Sequence, residues 1–173
     1  SENLNYSLSG SYISKFGVIG TSYRRFELDY GIPGGFVGAH PNGVDISLYK
    51  NQFNTLAEFK IENELLKKIQ FNYSHSYYRH KEFEKSGKIG SEFRIVNDLA
   101  SIQIHHNKVY FLNSGILGLT LENRDFDIGG FVFTSPTKAL HFSTYIYEEF
   151  STGRWNFETS VRYNHDRITP ETE

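Results

Sequence analysis

The sequence predicts an all-β fold, a segment of an antiparallel transmembrane β-barrel with about eight strands. Three observations carry that expectation. Apolar and polar residues alternate with period two over long stretches. Several of these stretches exceed the roughly 5 to 6 residues of an ordinary globular strand. Short turns alternate with longer loops, as they do where the two ends of a barrel face different sides of a membrane. Composition agrees: 15 Phe and 12 Tyr against 4 Pro favour strands over helices.

Taken in order, the first strand places Leu4, Tyr6, Leu8, Gly10 and Tyr12 on one face and Asn5, Ser7, Ser9 and Ser11 on the other. A short turn at 14–17 leads to a second strand, which ends at a Gly-rich loop, 31–43. Val44, Ile46 and Leu48 mark the third strand. The connection at 62–67 is short, although Leu65 and Leu66 also suit a helical turn. Ile69, Phe71, Tyr73, His75 and Tyr77 then oppose Gln70, Asn72, Ser74 and Ser76 in the fourth strand, followed by a longer polar loop at 84–90. Ala100, Ile102 and Ile104 give the fifth strand and a turn at 106–108 closes it. Leu117, Leu119 and Leu121 give the sixth, and a loop spans 127–138. Leu140, Phe142, Thr144 and Ile146 mark the seventh. After a turn at 151–153, Trp155, Phe157, Thr159, Val161 and Tyr163 oppose Asn156, Glu158, Ser160, Arg162 and Asn164 in the eighth.

Each strand thus offers one apolar face. The other face is rich in Asn, Ser, Gln, Glu and Arg, too hydrophilic for a second dry layer, so the expected interior is wet and the apolar face meets lipid. Alternation alone also fits a soluble β-sandwich with one solvated face. Strand length and the unequal connections favour the membrane wall. No run approaches the 18 to 20 apolar residues of a membrane helix.

Eighteen Lys and Arg against 20 Asp and Glu give a net charge of −2, which offers nothing to nucleic acid. Zero Cys excludes disulfides and thiolate metal sites. No nucleophile elbow, phosphate-binding glycine loop or helical His pair occurs, so the expectation is no enzyme and no cofactor. Gly34, Gly35, Gly129 and Gly130 read as loop positions of positive φ.

Tyr30-Gly31-Ile32-Pro33-Gly34-Gly35, followed by Gly43-Val44-Asp45-Ile46-Ser47-Leu48, resembles the barrel of TonB-dependent outer-membrane receptors. Tyr77-Tyr78-Arg79-His80-Lys81-Glu82, Asn123-Arg124-Asp125-Phe126 and Tyr147-Glu148-Glu149-Phe150, with Gly153, Trp155 and Glu158, fall in the family's order. The likeness is greatest to the zinc-uptake and iron-complex receptors. It implies that residues 1–173 are part of a roughly 22-stranded barrel in the outer membrane of a Gram-negative bacterium. The implied partners are outer-membrane lipid, the plug domain and remaining strands of the same receptor, the TonB energy-coupling complex acting through the plug, and a metal or metal-chelate cargo. The absence of Met, of a signal segment, of the plug and of a terminal aromatic makes the expected object a fragment. A stand-alone small barrel with a structural or adhesion role and a soluble ligand-binding β domain are the other classes.

The residues that suit a metal cargo are His80 and Glu82 near the top of one strand, His141 near the start of another, and His40 in the first long loop. Imidazole and carboxylate together suit borderline divalent metals when three or four converge. The family's zinc receptors carry a His-rich insertion in that loop, where this chain has only His40. Wetted lining is the competing role for all four, and for Tyr145, Tyr147 and Glu149. His105 and His106 are expected to be solvated beside a short turn.

Overall fold

Alternation at this length leaves the backbone one way to satisfy its hydrogen bonds, by pairing with neighbours on both sides. In the computed structural model, which describes residues 1–35, 41–61, 63–130 and 134–171, eight strands form one antiparallel sheet in chain order. They are β1 (Glu2–Ser14), β2 (Gly17–Ile32), β3 (Val44–Lys60), β4 (Leu66–Glu84), β5 (Ile89–His106), β6 (Leu112–Gly130), β7 (Thr137–Thr152) and β8 (Trp155–Pro170). The sheet is open, with β1 and β8 as its edges.

The strands run further than the alternation indicated. β4 reaches Glu84 and β5 starts at Ile89, so the loop expected over 84–90 shrinks to 85–88, no longer than the connections 61–65 and 107–111. Glu84 N–H donates to Lys88 O at 2.9 Å, and Gly87 supplies the positive φ of 79° that lets the hairpin turn. Likewise β6 runs to Gly130 and β7 starts at Thr137, inside the loop expected over 127–138. The contrast in connection length therefore rests on the long β2–β3 link and the two-residue turns. Leu66 opens β4, and no helical turn forms at Leu65. Gly130 has a φ of 79°, but Gly34 and Gly129 do not adopt the left-handed region. Gly34 is needed because the loop ends meet there: a side chain would strike the Pro41 carbonyl.

Register assigns every side chain to a face. Leu8, Tyr23, Phe53, His75, Asp98, Asn123, Leu140 and Arg167 form one row across all eight strands. Ser9, Ser22, Asn54, Ser74, Leu99, Glu122, His141 and Asp166 form the adjacent row on the other side. Toward the two-residue turns the Leu8 face is apolar, carrying Tyr12, Ile19, Phe71, Ile102 and Leu119 in a single row. The Ser9 face at that level is a hydrogen-bonded polar surface. Ser74 Oγ donates to Asn54 Oδ1 at 2.9 Å, Asn54 Nδ2 to Ser22 Oγ at 3.3 Å, and Gln70 Nε2 to Glu58 Oε2 at 2.8 Å.

Toward the long loop the polarity inverts. Val44, Ile46 and Leu48, expected to extend the same apolar face as the other strands, lie on the Ser9 face with Leu28, Phe93 and Ile128. The spacing from Leu48 to Phe53 is odd, and in a strand an odd spacing changes face. Val44 at 3% exposure, Ile46 at 5% and Ile128 at 6% are the most buried apolar residues there. No second layer covers them among the described residues, and Leu28, Leu48 and Phe93 are their neighbours on that face. In mid-sheet Ser143 on the Ser9 face is wholly buried while Leu119 on the Leu8 face stays 41% exposed, the contrast a single sheet shows when it curls, which makes the Ser9 face the concave one.

Candidate functional site

The two polar faces place the sequence-derived candidates differently. His80 and Glu82 lie on the Ser9 face near the long-loop end of β4, inside the apolar cluster. His80 stands directly between Leu48 and Phe93, with its ring edge-on to Phe93 at 5.5 Å and 90°. Tyr78 Oη lies 3.3 Å from His80 Nδ1. Nε2 is buried without a hydrogen bond among the described residues, and Glu82 Oε1 lies 3.2 Å from it. Apolar walls on both sides thus hold one imidazole and one carboxylate close together.

His141 lies on the same concave face but on β7 and nearer mid-strand. It pairs with Asp166 (Nδ1 to Oδ1, 2.5 Å), and Glu122 is its partner across β6. From register, His80 and His141 are separated by three strand spacings, about 14 Å, and by about 20 Å along the strands. They cannot share an ion. His40 falls outside the described residues. Among the described residues no three His, Asp or Glu side chains come together as a metal site. The His80–Glu82 pair supplies two donors where a closed zinc site takes four. It is suited to one hydrogen bond or one coordination bond to a cargo that brings its remaining ligands with it.

Tyr145, Tyr147 and Glu149 do share a face with His141, and they belong to a polar network near the short-turn end. Tyr147 Oη donates to Glu149 Oε1 at 2.9 Å, Ser114 Oγ donates to Glu149 Oε2 at 2.8 Å, and Arg162 reaches the fully buried Ser143 at 3.0 Å. The expectation that His105 and His106 are solvated is not met. His106 Nε2 lies 3.0 Å from Glu148 Oε2 with only 13% of its side chain exposed, and His105 Nε2 lies 3.0 Å from Gln70 Oε1. β5 extends through both residues, so they sit within the ladder and not in the turn.

The Leu8 face carries groups that single-strand reading did not find. Asp98 accepts from Tyr73 Oη at 2.7 Å and lies 2.8 Å from His75 Nδ1. Arg25 and Arg79 both stack on Tyr49. These residues come from β2 to β5, and only register joins them. No family model and no curated protein matches the chain.

Proposed function

We propose that this chain is part of the wall of an outer-membrane β-barrel of the TonB-dependent receptor kind. Its role there is to supply barrel strands and external loops for active uptake of a metal ion or metal chelate. The supporting observation is the uncovered apolar belt. On β6, an interior strand, Leu117, Leu119 and Leu121 remain 44%, 41% and 44% exposed, so their exposure is not an effect of the sheet edge. A soluble sandwich would cover this face with a second sheet and leave the hydrogen-bonded face to water.

The dimensions agree with a bilayer. The belt on β1 runs from Leu4 to Tyr12, nine residues, against the roughly 9 to 11 of a tilted transmembrane strand. Its upper limit is uneven, standing at Leu4 on β1, at Phe53 on β3 and Leu140 on β7 in one row, and at Tyr163 on β8, which is in register with Tyr12. The cargo reading rests on the motif resemblance and on His80 and Glu82 facing the concave side. It favours a chelate over a bare ion, because the wall around His80 is apolar.

The test is fractionation followed by uptake. The polypeptide that carries this chain is expected to stay in urea-washed outer membranes, and its deletion to slow accumulation of one of zinc or iron chelates in a manner that requires the inner-membrane energy source. Release of the polypeptide by urea, or uptake indifferent to its deletion, refutes the reading. A second reading, a small stand-alone barrel of structural or adhesive role, draws on the edges. β1 and β8 run antiparallel and both present apolar residues on the Leu8 face, so they have the polarity to close on each other. That reading requires residues 1–173 alone to insert and to run as a heat-modifiable band in detergent.

A further inference from the structure

Arg79 on β4 stands directly opposite Arg94 on β5. Like charges in that relation repel, and a sheet tolerates them best when something negative lies between them. Both arginines are on the Leu8 face, on the long-loop side of the belt, one row beyond Tyr77 and Val96. A third guanidinium joins them across a shared ring: Arg25 and Arg79 lie 4.9 and 5.6 Å from the centroid of Tyr49, which sits between their strands. Stacking on one ring holds both side chains over the sheet surface, and a stacked guanidinium keeps its N–H edge available for donation, which Arg25 uses on Glu27.

The other cations of the patch already have carboxylate partners. Arg25 Nε donates to Glu27 Oε1 at 2.6 Å, Arg94 reaches Asp127 at 2.7 Å with Glu92 at 3.9 Å, and Lys81 lies 3.7 Å from Glu92. Asp98, below the cluster, is engaged by Tyr73 and His75. Among the described residues Arg79 contacts the Tyr49 ring and no carboxylate. Arg25, Lys81 and Arg94 thus each have a carboxylate within 4 Å, and Arg79 has none among the described residues.

We propose that Arg79 and Arg94, supported by Arg25 across Tyr49, bind the phosphate of a membrane-lipid headgroup on the convex side of the wall. The proposal rests on the membrane reading above. Guanidinium forks match phosphate oxygens two at a time, and a phosphate between Arg79 and Arg94 relieves their repulsion. The patch is an open wall without the enclosure that a free inorganic anion needs to be held against water. A lipid is different: its acyl chains lie along the belt directly below, and that contact keeps its phosphate at high local concentration beside the guanidiniums.

The experiment counts phosphorylated lipid retained by the parent polypeptide after extraction from outer membranes in mild detergent, by native mass spectrometry and phosphorus assay. Insertion is scored first, by resistance to urea wash. The R79Q/R94Q variant is expected to insert and to retain at least about five-fold less phosphorylated lipid than wild type. R79K/R94K, which keeps the charge but not the fork, is expected to fall between them, and it carries the test if R79Q/R94Q fails to insert. R24Q, a charge removed from the opposite face, is expected to retain the wild-type amount. Equal retention in wild type and in either double variant that inserts overturns the site while leaving the membrane reading intact. Displacement of the lipid by excess inorganic phosphate assigns the arginines to a free anion and overturns the lipid proposal. A wild-type polypeptide that urea releases overturns both.

Discussion

The ring of Tyr145 on β7 fills the space above Gly118, its register partner on β6, so that even one side-chain carbon at position 118 would collide with it. The pair sits on the concave face in the row of Gln103 and Arg162. The large ring is accommodated there because a residue without a side chain stands opposite.

Gly118→Ala should accordingly destabilise the folded wall by about 1–3 kcal/mol, the usual cost of overpacking. Urea unfolding in detergent or phospholipid measures it. Tyr145→Ala should restore most of that loss in the double variant. Independent, additive losses would show that the ring does not occupy this space.

The two faces can be compared at neighbouring positions of one strand. Leu119→Arg, on the belt, should cost about 2–4 kcal/mol of folding stability in a bilayer, and Thr120→Arg, on the concave face, less than about 1 kcal/mol. Equilibrium folding into phospholipid vesicles reads both. Equal costs, or a larger one at Thr120, would contradict the placement of lipid on the Leu8 face.

Asn54 joins three strands through Ser22, Gln52 and Ser74. Asn54→Ala should lose about 1–2 kcal/mol, because several part-buried partners lose their bonds together. A double-mutant cycle with Ser74→Ala should show coupling of about 0.5 kcal/mol or more. Zero coupling would mean that the ladder is not formed in the inserted protein.

His80 and His141 are too far apart to bind one ion. In a competition titration with zinc and a chromophoric indicator, the H80A/H141A loss should equal the sum of the two single losses. A double variant no worse than either single one would place both imidazoles on the same metal and refute the separation.

Eight strands, their antiparallel order and the polarity of each short run were legible in the sequence. Period-two alternation fixes which residues of one strand share a face. It also marked Leu117, Leu119 and Leu121 as apolar and Gln70, Asn72 and Ser74 as polar. The inversion within β3 was legible in principle from the odd spacing of Leu48 and Phe53. It went unread because Val44, Ile46 and Leu48 form a convincing apolar face by themselves. The candidate metal set could not be judged from the sequence, since the distance from His80 to His141 depends on four strands of register.

The sequence by itself thus determined the strands, because local alternation is a property of consecutive residues. Only the tertiary structure decided which alternations line up across the sheet. It joined the belt from Tyr12 to Tyr163, gathered Arg25, Tyr49, Arg79 and Arg94 from four strands, and brought Gly118 beneath Tyr145. The physical reason is that a strand's register with its neighbour is set by the whole ladder and both turns. A shift of one residue would exchange every face without altering any single strand's pattern.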